Sequence, residues 1–408
     1  MTVDIKNKGY GYVVVAAAFL MMVVLWGAFY SYGVFFKPLL MEFGWTRATT
    51  SGAFSICTIT FGLLGTVIGG LNDRFGPRLV MTFCGALMGI AYLLMSRIDA
   101  LWHLYAFYGL VLGIGMSGSF VPLMTTVARW FERRRSIMTG VIAAGIGIGA
   151  MVGPPVVDRL ISRYGWRFTY ALLGVVVPAV MVLCAQLLRR DPSALKQKKS
   201  AGTGATPPPL VADAEGLSLP QALRTKEFWM YAGVIFCFGF CVFSVMVHMV
   251  PHAMETGFSS AGAAGILATI GGLSVLGKIV LGQVADRVGN RTIFIYGFAF
   301  MAASLLWLTA FDGRLILILF AVVFGVAYGG CVTMESPMVV DLFGLRSHGL
   351  ILGGIALGFT LGGAIGPWLT GLLFDVKGSY AMGFLACTLL SVVGLVLLLL
   401  LKIEKNAG

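Results

Sequence analysis

Acidic residues are scarce in this sequence: Asp and Glu together number 17 in 408 residues, His numbers 4, and charged residues of both signs make up only 11% of the chain. A soluble domain carries about a quarter charged residues, so a water-facing globule is excluded. The few carboxylates and imidazoles form no H-E-x-x-H zinc helix, there is no G-x-S-x-G nucleophile turn, and no carboxylate pair stands at helical spacing within an apolar run. An enzyme and a cofactor are therefore not expected. The seven cysteines (Cys57, Cys84, Cys184, Cys237, Cys241, Cys331, Cys387) all lie in apolar runs without zinc spacing. They read as small core hydrophobes, with neither a metal site nor a disulfide framework.

What is abundant is apolar sequence. Hydrophobic residues are 58% of the chain and the mean hydropathy is +0.92. Runs of ~20 apolar residues suit a membrane-crossing helix, and twelve can be drawn, at 10–36, 47–70, 79–96, 102–128, 136–157, 168–188, 228–251, 260–284, 292–311, 315–338, 349–374 and 379–401. Such sustained runs exclude a β-barrel, whose strands alternate and are shorter. Met1 to Lys8 is brief and polar, and the run after it lacks a small-residue cleavage site, so it reads as a span and not a removable signal. With both termini in the cytoplasm, most of the 29 Lys and Arg fall on that side, as the positive-inside bias requires. The net charge of +12 then calls for anionic membrane lipid as a neighbour and for no nucleic acid. No sizeable module that would demand an obligatory protein partner is evident.

Hydropathy collapses once, between Arg189 and Arg224, in a stretch rich in Pro, Gly, Ala and Lys, the composition of a flexible linker. Three parts follow: 1–190, a linker at 191–226, and 227–408. The outer two repeat each other. Gly69, Asp73, Arg74, Gly76 and Arg78 match Gly282, Asp286, Arg287, Gly289 and Arg291, and the Gly153-Pro154 and Gly366-Pro367 pairs stand at the same offset. Two landmarks at one offset make an internal repeat: six spans plus six, with a substrate site expected at mid-depth between the halves. The motif glycines permit close helix approach. The motif aspartates can accept from a neighbouring helix N-terminus and pair with the loop arginines, contacts expected to hold one state of an alternating-access cycle.

The duplicated G-x-[LV]-x-D-R-x-G-x-R, the central loop and the six-plus-six layout resemble the major facilitator superfamily over essentially the whole chain. The resemblance implies an all-α integral membrane fold of twelve transmembrane helices in two pseudo-symmetric six-helix bundles. Glycine stripes at Gly145, Gly149 and Gly153 and at Gly354, Gly358, Gly362 and Gly366 read as packing surfaces, as do Gly113, Gly115 and Gly118.

One cation stands inside a span. Lys278 lies two turns before Asp286, about 12 Å deep at ~1.5 Å per residue. Gly272 to Lys278 fits G-x-x-x-x-G-K, but Ile279 replaces the hydroxyl residue of a phosphate loop and the surroundings are apolar. An ammonium in hydrocarbon costs at least about 2.5–3.5 kcal/mol, so an intramembrane lysine is a functional candidate by default. The nearest acidic residue is Glu335, low in span 10. A cation without a fixed anion suits a substrate that brings one; the bland alternative is a lysine held by Glu335 or by backbone carbonyls.

At this span-8 position monocarboxylate transporters and the similar oxalate/formate antiporters usually carry an arginine that binds a carboxylate. GYGYVVV (Gly9 to Val15) and VHMVPHA (Val247 to Ala253) also resemble the monocarboxylate family. The resemblance implies a small monocarboxylate of the lactate or pyruvate type, moved with a proton, with Lys278 as its anchor. Three departures stand out: lysine gives a point charge where arginine gives a fork, Ser274 occupies the place of an acidic partner, and Tyr30 that of a second lysine. Ile355 falls where the oxalate exchanger has a second basic residue, which disfavours a dianion. Tyr328, Tyr30 and Ser274 are the further candidates for substrate contact. Lys278 and His248 are the candidates for proton coupling, His248 because of its intrinsic titration range. An organic-anion exchanger is the alternative, and a bacterial inner membrane the expected location.

Overall fold

The computed structural model describes residues 3–131, 135–189, 216–311, 313–344 and 346–401; the side chains of Asp73 and Asp286 lie outside it. Twelve long apolar crossings follow one another. Span 1 is the helix pair Val3–Tyr30 and Tyr32–Phe43, and span 2 is Arg47–Phe75, span 3 Pro77–Met95, span 5 Arg135–Tyr164 and span 6 Trp166–Leu187. Span 4 is composite: Leu101–Leu104, a π-helical stretch Tyr105–Leu112, Gly113–Met116 and, after a break, Val121–Trp130. Spans 7 to 12 are Lys226–Glu255, Ser260–Val288, Asn290–Ala310, Arg314–Phe343, His348–Lys377 and Ala381–Leu400. An even number of crossings brings both described ends to one face, called here the terminal face; the opposite one is the far face.

Several helices outrun the apolar runs that announce them, because a helix continues its own hydrogen bonds beyond the hydrocarbon. Two runs that read as single helices are interrupted. In span 1 the Ser31 hydroxyl donates back to the Gly27 carbonyl oxygen at 2.7 Å, the local competition that bends helices. Span 4 breaks after Met116 and restarts with Pro122 in its first turn, where proline loses no hydrogen bond. Elsewhere the ends are capped. Thr46, Thr225 and Ser259 accept from the amides of Thr49, Phe228 and Gly262, as N-cap hydroxyls do. The shared glycine of the repeated motif makes a one-residue corner in both copies, with φ of 81° at Gly76 and 88° at Gly289, a region open only to glycine at little cost.

Within the first half, span 1 packs on span 5 and span 3 on span 6; within the second, span 7 packs on span 11 and span 8 on span 10. The glycine stripes make the first and third of these contacts. A Cβ on Gly145 would stand 3.0 Å from the Phe19 carbonyl oxygen, and one on Gly149 would run into the backbone of Val23 and Gly27. Gly358, Gly362 and Gly366 face the carbonyls of Ala232, Phe236 and Phe240 in span 7 in the same way. The halves meet through spans 2 and 11, spans 5 and 8, and the second helix of span 1 against span 7. Most of the linker lies outside the described residues. Its end docks on the second half, where the Leu217 amide donates to the Phe343 carbonyl oxygen at 2.8 Å and a short helix, Leu219–Ala222, follows.

Candidate functional site

Span 8 carries Lys278 to the seam between the halves. Its Nζ donates to the Ala143 carbonyl oxygen of span 5 at 3.4 Å, a long bond beside the usual 2.9–3.0 Å. Glu335, on span 10, interacts electrostatically with it, but no ion pair within 4.0 Å joins the two. Tyr30 of span 1 and Tyr328 of span 10 reach across the seam, their hydroxyls 3.3 Å apart with only 2% and 4% of each residue exposed. Both phenols also lie within electrostatic reach of the Glu335 carboxyl. Lys278, Glu335, Tyr30 and Tyr328 thus form one polar neighbourhood inside an apolar interface.

Aromatic rings surround it. Tyr30 packs on Trp26 at 5.4 Å and on Phe243 at 6.5 Å between ring centroids, and Tyr328 on Phe238 at 6.1 Å. The buried Trp26 indole nitrogen has no hydrogen-bond partner among the described residues. The arrangement offers a weakly held ammonium and two hydroxyls sharing one long bond, all donors to an incoming carboxylate.

Ser274 stands apart from this group. Its hydroxyl donates to Gly271 in its own helix at 2.7 Å, and the residue is pressed between Gly147 of span 5 and Gly329 of span 10. Three helices converge there because those neighbours lack side chains.

His248 lies toward the far face, away from Lys278, and is fully buried. Its Nε2 is 2.8 Å from the Pro367 carbonyl oxygen and its Nδ1 3.2 Å from the Tyr380 hydroxyl. A carbonyl only accepts, so Nε2 carries the hydrogen, and in the neutral ring Nδ1 accepts from Tyr380.

Around it is a closure that sequence reading did not find. Both Asp375 carboxylate oxygens, from span 11, accept from the first amides of span 2: Arg47 at 2.9 Å and Ala48 at 2.8 Å. The Arg47 guanidinium pairs with Glu255 of span 7, donates to the Tyr380 hydroxyl, and lies 3.6 Å from the Phe374 ring centroid. Beside these contacts, Ser260 of span 8 donates to the carboxylate of Asp158 in span 5. The halves are joined on the far face by a carboxylate on a helix N-terminus, the position in which an anion is best stabilised. In the sequence these charges look like ordinary span ends; an Arg directly after an N-cap Thr was the one available signal.

The repeated motif sits at the terminal face. A Cβ on Gly69 would stand 3.1 Å from Val121, whereas one on Gly282 would find Thr333 at 3.4 Å, so the close approach is real in the first copy and ordinary in the second. Arg74 lies over Phe75 at 5.3 Å, Arg78 donates to the Gln186 carbonyl oxygen at 2.8 Å, Arg287 is exposed, and Arg291 donates to the carbonyls of Leu398 and Leu399. Arg78 and Arg291 thereby cap the ends of spans 6 and 12. The roles expected of Asp73 and Asp286 rest on side chains outside the described residues.

The family model of the Major Facilitator Superfamily matches residues 18–280 and 259–408. The chain belongs to that superfamily. Monocarboxylate transporter 13 of Rattus norvegicus is 27% identical over 382 residues, covering 93% of this chain and 86% of its own. Monocarboxylate transporter 11 of Homo sapiens is 27% identical over 396 residues, covering 93% and 80%. Among solved structures, a bacterial homolog of the human lysosomal transporter Spinster, inward-facing and unoccupied, superposes with a TM-score of 0.75 at 15% identity, over 96% of this chain and 97% of that one. The twelve helices therefore form a facilitator fold of two six-helix bundles, and the protein is an integral membrane transporter and not an enzyme.

Proposed function

We propose that this transporter moves a small monocarboxylate of the lactate or pyruvate type together with a proton, by alternating access, with Lys278 holding the carboxylate. The single observation that carries the reading is a cation at the seam of the halves whose hydrogen bond is a long one to a backbone carbonyl. A carboxylate that replaces Ala143 as its acceptor gains a charge-assisted bond, and Tyr328 and Tyr30 supply further donors. The mammalian relatives are named for the same class of substrate. One cation matches one carboxylate: Ile355, where a second could stand, is buried and apolar.

The bundles 1–190 and 227–408 rock about this site, with the linker 191–226 between them. The terminal face is cytoplasmic in this reading and the far face external, the membrane being a cell membrane; the relatives named above are mammalian, so the bacterial setting rests on the sequence alone. Closure of the far face leaves the site to the cytoplasmic side. Coupling enters at His248. When that ring takes a proton, Nδ1 becomes a donor aimed at the Tyr380 oxygen, which already accepts from Arg47, and a second positive charge comes to stand beside the guanidinium. Glu255 and Asp375 are the anions facing this cluster, and Arg47, Lys37 and the neighbouring His252 the other basic groups. Protonation of the ring thus strains the closure and favours opening to the outside.

The test is uptake of labelled lactate, pyruvate, formate and oxalate into proteoliposomes, with an inside-alkaline gradient or none, empty or preloaded with unlabelled acid. Gradient-driven uptake of a monocarboxylate into empty vesicles supports the proposal. Uptake that requires preloading and ignores the gradient makes the protein an anion exchanger.

A further inference from the structure

Spans 8, 9 and 10 leave a groove of about 470 Å³ on the outside of the second half, lined by Leu281, Val284, Tyr296, Phe300, Val323 and Val326 among others. Its floor is made of small, buried Gly297 and Ala327, and it ends toward the terminal face at Val288 and Ile293. From Leu281 to Val288 it runs about 10 Å along span 8 at ~1.5 Å per residue. An apolar slot of that length suits a hydrocarbon chain. Polar groups are almost absent from it; the Tyr296 side chain, on a residue 58% exposed, is the exception.

Charge marks its mouth. Arg287 stands one turn beyond Val284, exposed and without a partner among the described residues. Of its neighbours at that end, Arg291 is held by the carbonyls that end span 12 and Asn290 by Asp341 at 2.8 Å. An apolar slot that opens beside an exposed guanidinium matches a molecule with an acyl chain below and an anion above.

We propose that this groove binds one acyl chain of an anionic phospholipid whose phosphate pairs with Arg287. The choice of leaflet rests on the orientation proposed above. The far wall of the groove gives the site its consequence. Val326 abuts Gly277, and Gly329 abuts Ser274, so closely that a methyl group on either glycine would collide with the facing backbone. The lipid therefore lies against the same two-helix wall that carries Lys278 and Tyr328 on its inner side. Chain occupancy sets the spacing of spans 8 and 9, which otherwise touch little, and with it the position of the lysine.

Native mass spectrometry of protein extracted from vesicles of equimolar phosphatidylglycerol and phosphatidylcholine tests this without any transport measurement, so its failure is separate from failure of the transport reading. The parent should retain one phosphatidylglycerol in severalfold excess over phosphatidylcholine. Val323→Trp on span 10 and Val284→Trp on span 8 should each lose that adduct while keeping the melting temperature of the parent; either variant suffices if the other does not fold. Arg287→Gln should keep a lipid but lose the preference for phosphatidylglycerol. Equal retention of the two lipids by the parent, an undiminished adduct in a folded tryptophan variant, or an unchanged preference in Arg287→Gln would overturn the assignment.

Discussion

Replacing Asp375 by Asn should tip the protein away from the state closed on the far face. The carboxylate joins the halves by accepting from the Arg47 and Ala48 amides at once; an Asn side chain can accept from one of them and presents N–H donors to the other. Losing a cap of this kind costs about 0.5–2 kcal/mol, and losing the negative charge at a helix N-terminus about 0.3–1 kcal/mol where it is exposed, as Asp375 is. Both apply to the closed state alone, because the amides are free to meet water when the halves part. A shift of about 1–2 kcal/mol moves the ratio of closed to open molecules by roughly 5- to 30-fold. Spin labels at Arg97→Cys and Phe311→Cys, both exposed at far-face ends of opposite halves, read that ratio by double electron–electron resonance, and the described native cysteines are all buried and silent to the label. The long-distance population should grow in Asp375→Asn. An unchanged distance distribution, or one displaced toward shorter distances, would refute the closure as drawn.

Other expectations follow from the same contacts. Tyr328→Phe should raise the KM for the acid roughly tenfold to a hundredfold, the worth of one hydrogen bond to a charged group, with little change in protein yield. His248→Gln should flatten the dependence of uptake on external pH, since the ring it removes is the one whose protonation strains the Arg47–Tyr380 contact; an unaltered pH profile would place coupling elsewhere. Gly362→Ala puts a methyl group against the Phe236 carbonyl and 2.8 Å from the Phe240 nitrogen, and thermal unfolding in detergent should report a loss of about 1–3 kcal/mol. Gly353→Ala, with nothing within 4 Å of the new atom, should instead be neutral or gain up to about 1 kcal/mol.

The crossings were legible because a membrane helix must be apolar along its whole length, which leaves a mark no tertiary contact can erase. The repeat was legible for a second local reason: the Gly76 and Gly289 corners demand glycine at one place in each copy. Lys278 was legible because a cation in hydrocarbon is costly. The rest depends on which way a helix face turns. Ser274 shares a helical face with Lys278 one turn away, yet meets glycines of two other spans, and only the packing of three helices decides that. His248 stands near the end of span 7, and only Pro367 of span 11 and Tyr380 at the head of span 12 bury it. Arg47, Glu255 and Asp375 come from three separate spans and Tyr380 from the N-cap of a fourth, and nothing in the sequence around any one of them names the other three. The Ser31 break and the π-helical stretch of span 4 sit within apolar runs that look continuous.

The most direct test of the central claim is uptake of labelled L-lactate into proteoliposomes under an inside-alkaline gradient, comparing the parent with Lys278→Ala and Lys278→Arg. Saturable uptake that disappears in the alanine variant and survives in part in the arginine variant is the predicted result. Uptake by Lys278→Ala with the KM of the parent would contradict it, because the carboxylate would then be held by some other group.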